Sequence, residues 1–238
     1  MTRSCPGFCS TDARRDDTKS MRESVQICRG FSVEQWRGLC SRLSEDEPDA
    51  WSCAVEVFER RINERFFSCL ESLIDADSKL DVPTREVGPA DCSTLPDDGD
   101  RPVVVPGFAI MALCCLLIET LQSFREGGGT TKDRFEKFLG RPSFKGEFED
   151  NEVAAGFYTG VRNGILHDAE TRGWVIWRQH PSGRIVEQVD GRFILYRTEF
   201  YRALKAEFDQ YLSDLHDPEN QGLRQRFVQK MNEIATRS

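Results

Sequence analysis

Arg162 and His167, five residues apart, are the residues of this 238-residue chain whose types and spacing most suggest chemistry. They lie in the stretch Gly156-Phe157-Tyr158-Thr159-Gly160-Val161-Arg162-Asn163-Gly164-Ile165-Leu166-His167-Asp168-Ala169-Glu170, which holds one of only three histidines. An imidazole titrates close enough to neutrality to take a proton from a hydroxyl or return one to a leaving oxygen. A guanidinium can meet two oxygens of a phosphoryl group at once, where negative charge gathers during attack on phosphorus. His167 is therefore a candidate proton-transfer residue and Arg162 a candidate phosphate clamp. Asn163, one turn before His167, can hydrogen-bond either the ring or the phosphate. A plainer reading makes Arg162 a surface cation and His167 a helix-end residue favoured by the helix dipole.

The elements that position these groups follow from the periodicity around them. On a 3.6-residue helix, Phe157, Val161 and Ile165, with Ala154 and Tyr158, form one apolar face. Gly156, Gly160 and Gly164 recur every four residues and form a smooth strip. Interior glycines cost a helix roughly 1 kcal/mol each relative to alanine, so something must come close enough to offset about 3 kcal/mol. A partner helix or a nucleic-acid backbone would do so. Five residues of ideal helix rotate about 140°, so Arg162 and His167 do not share a face. A bend at Gly164, or a second copy presenting its own motif across a two-fold axis, would bring them together. The glycine strip favours the second copy, which makes it the expected dimer face.

Arg162-Asn163-Gly164-Ile165-Leu166-His167 resembles the signature of HEPN domains: an arginine, a polar residue, then a histidine four to six residues beyond the arginine. The form with asparagine after the arginine is matched in full, and the specific likeness is confined to residues 157–170. The resemblance implies a helical bundle over roughly residues 31–238 and a metal-independent endoribonuclease of the kind found among toxins and in phage defence. It further implies a homodimer, products ending in 2′,3′-cyclic phosphate and 5′-hydroxyl, and no cofactor. Arg162 and His167 would be the catalytic pair, with Asn163 supporting. Glu119 looks similar to the acidic residue that family members carry on an earlier helix, although Ser123 stands where the family has a basic residue. RNA and an antitoxin or regulatory protein are the partners implied. The alternatives are a HEPN-like module without catalysis, binding RNA, a nucleotide or a partner protein, and a helical protein with a chance motif.

Charge bears on the RNA reading. The net charge of −8 argues against a generic nucleic-acid binder, since phosphate neutralisation relies on lysine and arginine. The acidity is concentrated early: residues 32–100 hold seven basic and seventeen acidic side chains, a local balance of −10. Residues 172–205 carry +4, with Arg172, Arg178, Arg184, Arg192, Arg197, Arg202 and Lys205 facing Glu187, Asp190 and Glu199. Arg172 and Arg178 are therefore candidate RNA-binding residues, against the alternative of a solvated hairpin with arginine-rich edges. The nine cysteines form no C-x-x-C pair, so no metal site is expected. Reduced cysteines packed as small hydrophobes suggest a cytoplasmic setting. No secretory leader is evident in residues 1–20. The apolar run from Val103 to Ile118 falls short of a membrane span of about 20 residues, so no membrane is expected.

In chain order, residues 1–30 read as a disordered tail. Ser32 and Gln35 resemble a capping box opening a helix to about Leu43. Pro48 opens a long helix with Trp51, Val55, Phe58, Ile62, Phe66, Cys69 or Leu70, and Leu73 on one face. An acidic, proline-rich loop covers about 78–106. Gly107 to Arg125 reads as a core helix, in which the carboxylate of Glu119 needs a partner, with an arginine of the motif helix as one candidate. A short helix from Thr131 to Leu139 places Phe135, Phe138 and Leu139 inward. The motif helix runs from about Asp150 to Glu170. Trp174–Arg178, Ile185–Val189 and Arg192–Tyr196 read as three strands of an antiparallel hairpin or meander, with Asp190-Gly191 as a turn. Thr198 opens a helix to Leu215 with Phe200, Leu204, Phe208 and Leu212 inward, and a last helix spans about Gly222–Ala235. The fold class is mainly α, a HEPN-like helical bundle with a small β insertion, forming one domain over 31–238.

Overall fold

The computed structural model describes residues 25–44, 47–79, 106–129 and 131–237. The fold is mainly helical, with a two-stranded antiparallel pair and a three-stranded mixed sheet. The chain divides into two compact units, Met1–Arg61 with Met231–Ser238, and Ile62–Lys230. The expected single domain over 31–238 does not include this division. Most of the expected tail and of the acidic loop lies outside the described residues.

In the first unit, β1 (Gln26–Cys28) pairs with β2 (Phe31–Ser32), then α1 (Val33–Ser44) and α2 (Pro48–Ile62) follow. The end of the expected tail is thus ordered as a strand: Ile27 and Cys28 are buried apolar residues, and Arg61 Nη1 donates to the Ile27 carbonyl at 2.6 Å. The capping box forms as its residues require. Ser32 N donates to Gln35 Oε1 at 2.7 Å and Gln35 N to Ser32 Oγ at 3.2 Å. Trp36, fully buried, donates its indole N–H to Asn232 Oδ1 at 2.7 Å.

In the second unit, a π-helical turn at Asn63–Phe67 leads into α3 (Ser68–Ser78). A π turn takes an extra residue, so the buried position after Ile62 falls on Phe67, with Leu70 next, whereas an unbroken α-helix would place Phe66 there. The core helix α4 (Gly107–Glu126) has eleven buried residues. By length and composition it could cross a bilayer, but that burial makes it the centre of a folded core. Thr131 caps α5 (Lys132–Leu139), whose Phe135, Phe138 and Leu139 are buried. A 3₁₀ turn at Pro142–Phe144 precedes the motif segment. Beyond the strands lie α8 (Arg197–His216) and α9 (Gln221–Arg237).

The motif segment is in three pieces where its sequence suggests one helix: α6 (Asn151–Gly156), a π-helical stretch at Phe157–Asn163, and α7 (Gly164–Asp168). Asp150 caps α6 by accepting from Glu152 N at 2.8 Å. Phe157, wholly buried, anchors the π stretch. Its ring stacks on Phe200 at 5.1 Å and on Phe135 at 6.1 Å, and meets Phe148 and Trp174 edge-on at 5.5 and 5.7 Å.

The strands β3 (Trp174–Trp177), β4 (Val186–Val189) and β5 (Arg192–Tyr196) lie where their alternation places them, but they do not form a meander. The order is β3-β5-β4, with β5 central, antiparallel to β4 and parallel to β3. The Asp190-Gly191 turn has both residues at positive φ, 49° and 75°, which suits the tight hairpin linking β4 to β5. In α8, Tyr211 and Leu215 are buried alongside Phe200, Leu204 and Phe208, while Leu212 is only half-buried.

Asp77, at the end of α3, is almost fully buried and holds two arginines: Arg178 Nε at 2.8 Å and the nearly buried Arg197 guanidinium. Removing one partner of a buried ion pair leaves an uncompensated charge, which typically costs about 3–5 kcal/mol. Asp77→Ala is therefore expected to lower stability by about that amount in denaturant titration. A loss below about 1 kcal/mol would show that Arg197 finds another partner.

Candidate functional site

Arg162 leaves the π stretch and meets α4. Its Nε donates to Glu119 Oε1 at 2.8 Å, and its Nη2 lies 2.6 Å from the same oxygen. Glu119 thus has the partner that a carboxylate in so apolar a helix requires. Arg162 Nη1 donates to Asn163 Oδ1 at 2.9 Å, and the guanidinium carbon lies 5.4 Å from the centre of the Tyr158 ring. Both charged side chains are mostly covered, 19% and 26% exposed, so the pair is screened less than a surface one. Cys115, one turn before Glu119 on α4, is wholly buried, and burial pushes its thiol well above the usual range. It is an inert core group rather than a nucleophile. Ser123 donates to the Gly128 carbonyl at 2.9 Å and so closes the glycine turn after α4.

His167 is exposed in the last turn of α7. No hydrogen bond joins it to Arg162, and within one chain Arg162, Asn163 and Glu119 are brought together while His167 stands apart. The backbone just beyond it is strained: Ala169 sits in the left-handed region at φ 55°, where its N–H bonds the Gly164 carbonyl.

The glycine strip has a different use from the expected dimer face. The chain leaving α7 folds back over it: Glu170 N donates to Gly164 O at 3.3 Å and Arg172 N to Gly160 O at 3.1 Å. A Cβ on Gly164 would sit 2.5 Å from the Glu170 carbonyl oxygen. One on Gly160 would lie 2.7 Å from the Trp174 ring and 2.8 Å from the Arg172 oxygen. The close approach that offsets the glycines is made by the chain itself, so a homodimer would need another surface. Among the described residues Leu166 on α7 and Phe108 and Leu116 on α4 are exposed apolar side chains.

The two arginines expected to bind RNA are both paired. Arg172 meets Asp168 in an exposed i,i+4 pair, worth at most about 1 kcal/mol, which a phosphate could displace. Arg178 is committed to buried Asp77 and is a structural group. Three features were not picked out from the sequence. Arg125, buried, pairs with Asp214 at 3.4 Å and Glu207 at 3.7 Å over the Tyr211 ring, beside a cleft of about 450 Å³ that Arg141 and Arg226 also line. The His180 ring is 4.6 Å from that of Tyr196, and its Nδ1 accepts from Ser182 N at 3.0 Å. Trp177 and Arg192 line a second cleft, on the sheet. Among the described residues no group of three or more His, Cys, Asp or Glu is placed to hold a metal ion.

Comparison with known proteins finds no family model, no curated protein and no solved structure that matches the chain.

The glycines give opposing expectations. Gly164→Ala drives a Cβ into backbone and is expected to cost about 1–3 kcal/mol, as over-packing does. Gly156→Ala meets only the Trp174 ring at 3.7 Å and gains helix propensity, so it should be neutral or stabilising by up to about 1 kcal/mol. Ala169→Gly relieves the left-handed strain and should stabilise by about 1 kcal/mol. Thermal unfolding of the three variants checks all of this. Equal effects of the two alanines would contradict the fold-back.

Proposed function

We propose that this chain is a metal-independent endoribonuclease of HEPN type, with Arg162 and His167 as its catalytic pair. The observation that carries the reading is the guanidinium of Arg162, fixed by Glu119 and Asn163, together with the exposed His167 imidazole on the next turns of the same segment, which has no protein partner among the described residues. A fixed guanidinium loses little freedom on meeting phosphate, and an unoccupied imidazole can move protons.

In the proposed reaction the 2′-hydroxyl gives its proton to a base and its oxygen attacks phosphorus. The bond from phosphorus to the 5′-oxygen breaks, and that oxygen takes a proton. The products are a 2′,3′-cyclic phosphate and a 5′-hydroxyl. His167 serves one of the two proton transfers. Arg162 meets the non-bridging oxygens, and Glu119 aims it. Two copies joined through the apolar surface of α4 and α7 would bring the guanidinium of one near the imidazole of the other. A role in a toxin or defence system, regulated by an antitoxin-like partner, belongs to the same proposal.

A second reading has one specific support. Glu119 already balances the charge of Arg162, which suits a HEPN-like module that binds RNA, a nucleotide or a partner protein without cutting. Activity separates the two. Incubated with a mixed RNA pool in EDTA, the wild-type chain is expected to cut, and His167→Ala and Arg162→Ala each to lose roughly 10²- to 10⁴-fold in rate. Cutting unaffected by either substitution would refute the assigned roles, and loss of all cutting in EDTA would indicate a metal nuclease.

A further inference from the structure

The face of the three-stranded sheet turned away from the motif helix is unused by the site above. Strand alternation sends Trp174 inward, onto Gly156 and Gly160, and Ile176 towards Gly107. Val175 and Trp177 therefore point the other way. Register puts Ile194 beside Val175, Tyr196 beside Trp177, and Val189 beside Arg192 on that same outer face. Val175, Trp177, Val189, Asp190, Arg192 and Ile194 line a cleft of about 430 Å³ there.

Two of these residues are placed for a ligand. Trp177 is 52% exposed, which is unusual for an indole in a strand. Its ring meets Tyr196 edge-on, with centroids 6.1 Å apart and planes at 90°, so it is held at one edge. Arg192 is exposed at the start of β5 and makes no ion pair or hydrogen bond among the described residues. Arg184 likewise makes no ion pair among the described residues, whereas Arg172, Arg178, Arg197, Arg202 and Lys205 all have carboxylate partners. The cleft therefore combines an apolar floor (Val175, Ile194), an open indole, the Arg192 cation and the Asp190 carboxylate, with Glu187 beside Ile194 on the same face and accepting from the Tyr196 hydroxyl.

We propose that this face is a stacking platform for single-stranded RNA, with a base against Trp177 and its phosphate on Arg192. The proposal rests on the RNA reading above and names how the strand is held. Base stacking on an aromatic ring, beside a cation for the backbone, is the chemistry that single-strand binders use. A protein partner fits less well, since a stable interface buries about 800 Å² on each side, and Trp177 and Val189 are the only large apolar side chains exposed on this sheet. Trp177 lies three residues along β3 from Trp174, about 10 Å, and Trp174 packs on the motif helix itself. The platform and the motif segment therefore lie on opposite faces of the sheet.

The test is fluorescence anisotropy of the full chain, in EDTA and in a His167→Ala background so that the RNA stays intact. The probe is a labelled single-stranded RNA of roughly 12 nucleotides. Trp177→Ala is expected to weaken binding roughly 5- to 100-fold and Trp177→Phe much less. Arg192→Ala should reduce the slope of log affinity against log salt by about 1. Trp177→Ala binding as tightly as its parent, with an unchanged circular dichroism spectrum, would overturn the platform. So would a change in sedimentation instead of RNA affinity, which would mark a contact between copies, and so would a full chain that binds no RNA. If wild type cuts RNA through His167 while Trp177→Ala binds normally, the platform falls and the nuclease reading stands. If RNA binding depends on Trp177 while nothing cuts, the platform stands and the nuclease reading falls.

Discussion

The return of the chain over its own motif helix is the constraint on which the rest of the second unit depends. A side chain at Gly160 or Gly164 would occupy the space taken by Trp174 and by the Glu170–Arg172 backbone, so that packing exists only because those positions lack one. Two backbone hydrogen bonds, to the Gly160 and Gly164 carbonyls, tie the segment down. They also fix where β3 begins, because Trp174 follows Arg172 by two residues and its ring stacks on Phe193 of β5 at 4.7 Å. The motif helix, the turn that ends it and the sheet are therefore one packed object, with Phe157 as its aromatic centre.

Electrostatics follows the same logic of commitment. Glu119 fixes Arg162, Asp77 fixes Arg178 and Arg197, and Glu207 with Asp214 fixes Arg125, whose own proton affinity burial lowers. Except at Arg178, whose buried partner is Asp77, each pairing places a guanidinium in a mostly covered setting where leaving it unpaired would be costly. Among the described residues, His167 at the end of the motif helix and Arg192 on the outer face of the sheet are left without such a partner. The acidic total of the chain says little about either, because the balance is set locally.

Much of the fold was legible where local chemistry decides it. Ser32 and Gln35 specify a helix start by reciprocal hydrogen bonds, Asp190-Gly191 specifies a tight turn, and most apolar positions of α4, with Phe135, Phe138 and Leu139 of α5, are buried. Features set by tertiary contact were not legible. The π turns at Asn63–Phe67 and Phe157–Asn163 shift the helical phase by packing, which no 3.6-residue template carries, so Phe67 replaced Phe66. Parallel pairing of β3 with β5 depends on how Trp174 docks rather than on strand pattern. The glycine period was visible in the sequence, but a smooth strip does not say whether its occupant is another chain or the same one. At the candidate site, the need of Glu119 for a cation was legible and Arg162 meets it. The openness of Trp177 was not, since an indole in a strand usually reads as core.

The central claim is that an imidazole and a guanidinium from this helix act together on one RNA phosphodiester. Mass spectrometry of the fragment ends, after incubation with a defined RNA in EDTA, tests it most directly. The account predicts 2′,3′-cyclic phosphate and 5′-hydroxyl termini from the wild-type chain and none from His167→Ala. Fragments bearing 3′-hydroxyl and 5′-phosphate ends, or cyclic ends that persist without His167, would contradict it.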